Sequence, residues 1–296
     1  MEPSIQGESA TVQKNRIIVV GFGGSGSNII DNMMKTISTN IEFIAIDAKS
    51  DYESIKSVLE GADIVFITGG LGGQTGHTVA PIIARLAKHV GALTILIITK
   101  PFCFEAKKRL KLAQESLSRL KKVSDCVVIV PNDKILSIID RKLGISDAFK
   151  IVDSVLTRII KGIISTLPSN NENDINIDIT DLQLIMSNRG SAFAGIGESQ
   201  GEEAACEAIT SAIEFTKNDN MPIEVASGVL VHFTMHPEFH FIKIVEAMCI
   251  ISEKANYSAD VIFATTTDAT LPIDFIRVTL IATGFEKISL VAANNV

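Results

Sequence analysis

Five glycines crowd the ten residues from Gly69 to Thr78, and four more stand in Gly21-Phe-Gly23-Gly24-Ser25-Gly26. Glycine adds little to a core, but it lets the main chain approach an anion closely and accept positive φ. Each stretch follows an apolar run, Arg16-Ile-Ile-Val-Val-Gly21 or Asp63-Ile-Val-Phe-Ile-Thr68, and leads into a helix-like one. At such turns unpaired N–H groups and the helix dipole attract phosphate. Two of them on one sheet edge point to a nucleotide, against the plainer reading of each as a tight turn. A second constellation, Asn176-Ile-Asp178-Ile-Thr-Asp181, supplies carboxylates that could order a water molecule or merely cap a helix starting near Thr180.

The elements that must position these groups alternate along the chain. Residues 1–14 are polar and aperiodic, a loose tail. Apolar runs at 16–21, 42–46, 62–68, 91–99 and 125–130 read as strands, and helical periodicity separates them at 29–37, after Ser50-x-x-Glu53, at 79–89 and at 105–121. Strands apolar on both faces and alternating with helices predict an α/β fold, a parallel sheet covered on both sides. A long apolar helix over 147–166 ends this part before a polar string at 168–174. Beyond it, helices near 180–187, 202–215 and 239–254 mix with strands near 190–196, 227–234, 259–267 and 275–283, the last two joined by a short turn as neighbours. The expected layout is therefore a nucleotide-binding Rossmann-like domain at 15–146, a central helix at 147–167, a smaller mixed α/β domain at 174–290, and tails at 1–14 and 291–296.

The chain has 296 residues, 46% hydrophobic and 21% charged, enough to bury a large core. A net charge of −7 with no long basic run argues against a nucleic-acid partner. Cys103, Cys126, Cys206 and Cys249 stand apart, and no long apolar span or signal pattern is present, which predicts a reduced, cytoplasmic protein without membrane insertion. His232, His236 and His240 are spaced by four, but Pro237 interrupts them and His232 falls in a strand-like run, so no metal site is predicted there.

Taken alone, the first glycine loop fits the G-x-G-x-x-G dinucleotide fingerprint with Asp47 at the end of the second strand, the pattern of an NAD- or FAD-dependent oxidoreductase. That reading leaves the second glycine loop and the acidic cluster unexplained. Eight landmarks in order do explain them: Gly21 to Gly26 with Asn28, Gly72 to Gly76, Thr99-Lys-Pro-Phe-Cys-Phe-Glu105 with Arg109, Val130-Pro-Asn-Asp133, Phe149 with Asp153, Asn176-x-Asp178-x-x-Asp181, Gly190 to Gly197, and Arg277 to Gly284. With them, the chain from 15 to 285 resembles FtsZ, the bacterial cell-division GTPase of the tubulin superfamily.

The resemblance implies binding of GTP or GDP, with Mg2+ a possible companion. Gly23, Gly24, Ser25, Gly26, Ser27 and Asn28 with Gly72, Gly73, Gln74, Thr75 and Gly76 would hold the phosphates. Glu105 and Arg109, on the helix after the fourth strand, would meet ribose and phosphate. Phe149 would pack on the base, and Asp153 would accept from guanine's two adjacent donors. Asn176, Asp178 and Asp181 would act on the nucleotide of a neighbouring copy, itself or another FtsZ, after head-to-tail stacking into filaments at the division site.

The departures from the family pattern concern the nucleotide end. Its loop Asn-Thr-Asp is here Asp47-Ala48-Lys49, and its Gly-Gly-Gly-Thr-Gly-Thr-Gly is here Gly72-Gly73-Gln74-Thr75-Gly76-His77-Thr78. Gln74 and Thr78 are expected to bring a Cβ into close-approach or positive-φ positions. Between Ile46 and Ala62 the family's extra helix, strand and second small-residue loop shrink to one capped helix, and the C-terminal adaptor-binding peptide is expected to be absent. Two functions follow: a filament-forming GTPase with weakened hydrolysis, or a non-hydrolysing paralogue that caps or modulates filaments.

Overall fold

A computed structural model describes residues 15–37, 41–47, 51–136, 144–168, 174–187, 190–216 and 222–285. The predicted tails, Ala48-Lys49 and the Ser50 cap lie outside these residues. The first half alternates β1 (Ile17–Phe22), α1 (Gly23–Thr36), β2 (Ile41–Ile46), α2 (Tyr52–Leu59), β3 (Ile64–Gly70), α3 (Gln74–Thr78), α4 (Ala80–His89), β4 (Leu93–Lys100), α5 (Lys107–Leu120), β5 (Cys126–Pro131) and α6 (Asn132–Leu136). The long helix α7 (Ile145–Ile164) follows, and then α8 (Ile179–Met186), β6 (Gly190–Gln200), α9 (Ala204–Thr216), β7 (Gly228–Met235), α10 (Phe241–Lys254), β8 (Asp260–Thr267) and β9 (Phe275–Thr283).

All nine strands form one sheet in the order β2-β1-β3-β4-β5-β6-β9-β7-β8. β1 to β5 are parallel, as their doubly apolar sequences require, and each strand of β1, β3 and β4 is buried along nearly its whole length. β5 also pairs in parallel with β6, from Cys126↔Gly190 to Ile129↔Phe193, so the sheet runs unbroken into the second half. Two hydrophobic cores result, one on each face. One gathers Val20, Ile67 and Leu96 with α4, α9 and α10, and the other gathers Val19, Phe66 and Ile97 with α1 and α7. Because successive strand residues face opposite sides, each β-branched run feeds both cores.

The expected adjacency of the last two strands does not hold. β7 lies between β8 and β9, parallel to the first and antiparallel to the second, and β9 bridges β6 to β7. The link 268–274 therefore crosses the end of β7 instead of closing a hairpin. At α2 the cap is Asp51, which accepts from the Ser54 amide at 3.2 Å. Between β2 and β3 the only described element is α2.

Candidate functional site

The strand order reverses between β1 and β3, which leave their carboxyl ends side by side with Gly21 opposite Thr68. In open α/β sheets ligands bind at such a switch point, and both glycine loops open there into one hollow of about 680 Å3 counted out to its mouth. Phe22, Gly23, Gly24, Ser25, Gly70, Leu71, Gly73, Thr75 and Gly76 line it together with Thr99, Pro101, Glu105, Arg109, Asn132, Phe149 and Val152. The loops touch each other across it. A methyl group on Gly23 would meet Thr75 at 3.6 Å, and one on Gly70 would meet Thr99 Oγ1 at 3.5 Å and the Ser25 Cβ at 3.8 Å.

Two glycines show why the loops need this residue. Gly21 lets β1 pass the start of α1, since a Cβ there would lie 2.4 Å from the Gly26 carbonyl oxygen. Gly72 has φ +92 and a Cβ on it would lie 2.8 Å from Pro101. Gly24 and Gly73, by contrast, face open space. For Gln74 and Thr78 the positive-φ alternative is corrected: both lie in α3 with helical backbone, and the left-handed position falls on Gly72. Gln74 and Thr78 are exposed.

Not every predicted group reaches the hollow. Gly26 and Gly72 are buried beneath it, Ser27 donates to the Gly23 carbonyl at 3.1 Å, and Asn28 sits exposed on α1. Asp153, on α7, lies behind the lining and is only 7% exposed. Ser25 Oγ donates to its Oδ1 at 2.6 Å and Asn28 Nδ2 to its Oδ2 at 3.4 Å. Burial pushes the Asp153 carboxyl up from its ordinary value, and these two hydrogen bonds oppose that only in part. Glu105 precedes α5, whose N-cap is Ala106, instead of lying on it. It accepts from the Phe102 amide at 2.9 Å and pairs with Arg109 at 2.7 Å. Arg109 keeps half of its side chain exposed, a guanidinium at the mouth of the hollow. Phe149 stands edge-on to Phe102 with ring centroids 5.5 Å apart.

Four lining residues had no signal in the glycine pattern. Thr99 lies near the end of β4 and Pro101 just after it, Asn132 follows β5 and Val152 sits on α7. Asn132 is 4% exposed and its Oδ1 has no hydrogen-bond partner, so it offers a ready acceptor to a ligand. The landmarks Thr99-Lys-Pro and Val130-Pro-Asn-Asp133 would have revealed both, had each been read as the loop after a parallel strand.

Asn176, Asp178 and Asp181 are not among the lining residues. They form the start of α8, where Asp178 and Asp181 close a reciprocal capping box: the Asp181 amide donates to Asp178 Oδ1 at 2.8 Å and the Asp178 amide to Asp181 Oδ2 at 3.3 Å. Thr180 Oγ1 also donates to Asp178 Oδ1, at 2.5 Å. This hydroxyl, followed by the Asp181 amide, holds the Asp178 carboxyl below its ordinary range. Both acids are tied to the cap through one oxygen each. Asn176 Oδ1 is buried without a partner.

Among the described residues no three ligating side chains cluster for a metal, and no helix is long and apolar enough to cross a membrane. His232 lies buried on β7 with Nε2 2.9 Å from Thr266 Oγ1, while His240 is the N-cap of α10, so the four-residue spacing does not put them on one helix face.

Residues 45–140 match the Tubulin/FtsZ family GTPase domain, and residues 190–286 match the FtsZ family C-terminal domain. The cell division protein FtsZ of Helicobacter pylori strain ATCC 700392 / 26695 is 36% identical, covering 92% of this chain and 80% of its own. That alignment spans 312 positions, more than the 296 residues here, so the relative carries segments this chain lacks. Among solved structures, an empty FtsZ dimer from M. jannaschii aligns with TM-score 0.85 and 31% identity over 93% of this chain and 89% of that one. CetZ from Methanosaeta thermophila strain DSM 6194 aligns with TM-score 0.71 at 16% identity over 95% of this chain and 90% of that one, which speaks to the fold alone.

Proposed function

Since the chain belongs to the FtsZ family of cell-division GTPases within the tubulin superfamily, we propose that it binds GTP in the glycine-lined hollow and stacks head to tail with a copy of itself or another FtsZ, hydrolysing the nucleotide at the junction. The observation that carries this reading is the meeting of the two glycine loops across one hollow. Main-chain amides of the β1–α1 and β3–α3 turns would embrace the phosphates, Arg109 would balance their charge, and Phe149 would cover the base. Mg2+ would fit this hollow as the nucleotide's counter-ion, with the Thr75 hydroxyl as a residue that could hold it, and would neutralise phosphate charge there. Asp153 would be the carboxylate that accepts from guanine's two adjacent donors, a pair adenine does not offer.

Asp178 and Asp181 would serve a neighbour's nucleotide. They lie at another helix start and not in this chain's hollow. An acid held below its ordinary range stays ionised and accepts weakly, so Asp178 orients and polarises the attacking water more than it removes the proton. Contacts of this head-to-tail kind do not close on themselves and give filaments. The dinucleotide alternative lacks support, because the second glycine loop, Arg109 and Asn132 line the same hollow while Asp47 does not.

Mass spectrometry of the nucleotide released on denaturation, followed by GTP turnover at rising protein concentration, tests the proposal. Guanine nucleotide and a turnover per subunit that climbs with concentration are expected; NAD, FAD or a concentration-independent rate contradicts it. Among the described residues one helix alone stands between β2 and β3, which favours a second reading, in which the nucleotide end recruits the next subunit poorly and the chain caps or modulates filaments of an ordinary FtsZ. Under that reading a substoichiometric dose added to full-length FtsZ reduces pelleted polymer and GTP turnover.

A further inference from the structure

Asp153 is held in a way that its role as a base reader does not require. The carboxylate is more than nine-tenths buried on α7 and is absent from the lining of the hollow, whereas Ser25, 128 residues earlier, belongs to that lining. Ser25 thus stands between the open space and the acid. Its hydroxyl donates to Oδ1 at 2.6 Å, within the range of a charge-assisted O–H···O⁻ bond. The second donor, Asn28 Nδ2, is a long 3.4 Å from Oδ2. One carboxylate oxygen is therefore firmly taken and the other loosely held.

A guanine edge presents two parallel donors, N1–H and the 2-amino group, which need both oxygens at once. Resting on the reading that the hollow takes a guanine nucleotide, we infer that the Ser25 hydroxyl is a latch on Asp153 that competes with the base's donor edge, so that Ser25 sets how strongly this chain prefers guanine. A base that engages both oxygens must turn the hydroxyl away or share Oδ1 with it. A base that offers no such pair, adenine, leaves the latch shut and does not feel it. The cost of burying an ionised carboxylate explains why the hydroxyl is held on it, since an unpaired buried charge is expensive. Asn28, at its long distance, steadies the second oxygen without blocking it.

Ser25→Ala removes the hydroxyl and keeps the Cβ. Titration calorimetry with GDP, with IDP, which lacks the 2-amino group, and with ADP reads the consequence. The variant should bind GDP about 5- to 10-fold more tightly than the wild type, a factor set by one net hydrogen bond. IDP should gain less and ADP least, so that the GDP-to-ADP affinity ratio rises, and Ser25→Thr, which restores a hydroxyl, should return the wild-type ratios. Unchanged or weaker GDP binding in Ser25→Ala, or GDP and ADP moving together, overturns the inference while leaving the guanine-nucleotide reading intact. A wild-type chain that binds no guanine nucleotide overturns both.

Discussion

The glycine hollow and the start of α8 divide the proposed chemistry between them in different ways. The hollow draws on the ends of β1, β3, β4 and β5 and on α7, and its shape depends on positions where a single added carbon would strike backbone or ring atoms. Asp178 and Asp181 lie within one turn of helix and are satisfied by each other. A site that holds a ligand by close approach must be assembled by the whole fold, whereas a pair of carboxylates offered outward needs only a rigid local platform. Under the proposed function the first is complete within one chain, and the second acquires a target only when another copy arrives.

The sharpest way to break this division is to fill the hollow without disturbing its walls. Gly24 faces open space at the start of α1, so Gly24→Glu should fold normally and place a carboxylate where phosphate charge is expected. GDP affinity should fall on the order of 1000-fold, since like charges set together cost several kcal/mol, as read by calorimetry, with the melting temperature nearly unchanged. Gly72→Ala, by contrast, should damage fold and binding together, because its left-handed backbone and the 2.8 Å approach to Pro101 leave no room.

A second measurement asks whether the two halves can be weakened separately. His232, buried on β7, is pushed down to about 4 from an ordinary value of 6.5. As pH falls below about 6.5 the unfolded chain takes up the proton first, so the stability that the neutral imidazole preserves is fully present above that value and is lost progressively toward pH 4. The loss is roughly 3 kcal/mol at 1.36 kcal/mol per unit. Denaturant titrations at pH 7 and pH 4.5 should show it, and His232→Gln should flatten the dependence.

At α8 the role of charge can be separated from the role of the cap. Asn caps a helix as well as Asp does, so Asp178→Asn should leave stability and GDP affinity near wild type while GTP turnover drops on the order of 100-fold. Asp178→Ala should show the same turnover loss and in addition lower the melting temperature as the cap is lost. If Asp178→Asn turns over GTP normally, the carboxylates are caps and nothing more.

How much of this could be read beforehand follows the same division. The strands of the first half were legible because parallel strands buried on both faces are continuous β-branched runs, as in Ile17-Ile-Val-Val20. Boundaries slipped by about two residues at helix starts, as at α5, expected from 105 and found from Lys107. Pairing order in the second half was not legible, since β9 reaches its place between β6 and β7 through tertiary contacts that no local pattern records. Within the site, glycines announced the loops, but Asn132 and the Ser25–Asp153 contact did not announce themselves. A lone buried amide or a hydroxyl bonded across 128 residues has no periodicity.

The central claim, that the hollow of one copy and the acids of another make one active unit, is tested most directly by mixing. Gly24→Glu keeps Asp178 and loses the hollow; Asp178→Asn keeps the hollow and loses the acid. Each alone should be nearly inactive. An equimolar mixture should regain GTP turnover, because a junction formed by the intact hollow of one variant and the intact Asp178 of the other is complete. A mixture no more active than its parts, under conditions where the wild type turns over GTP, would contradict the account.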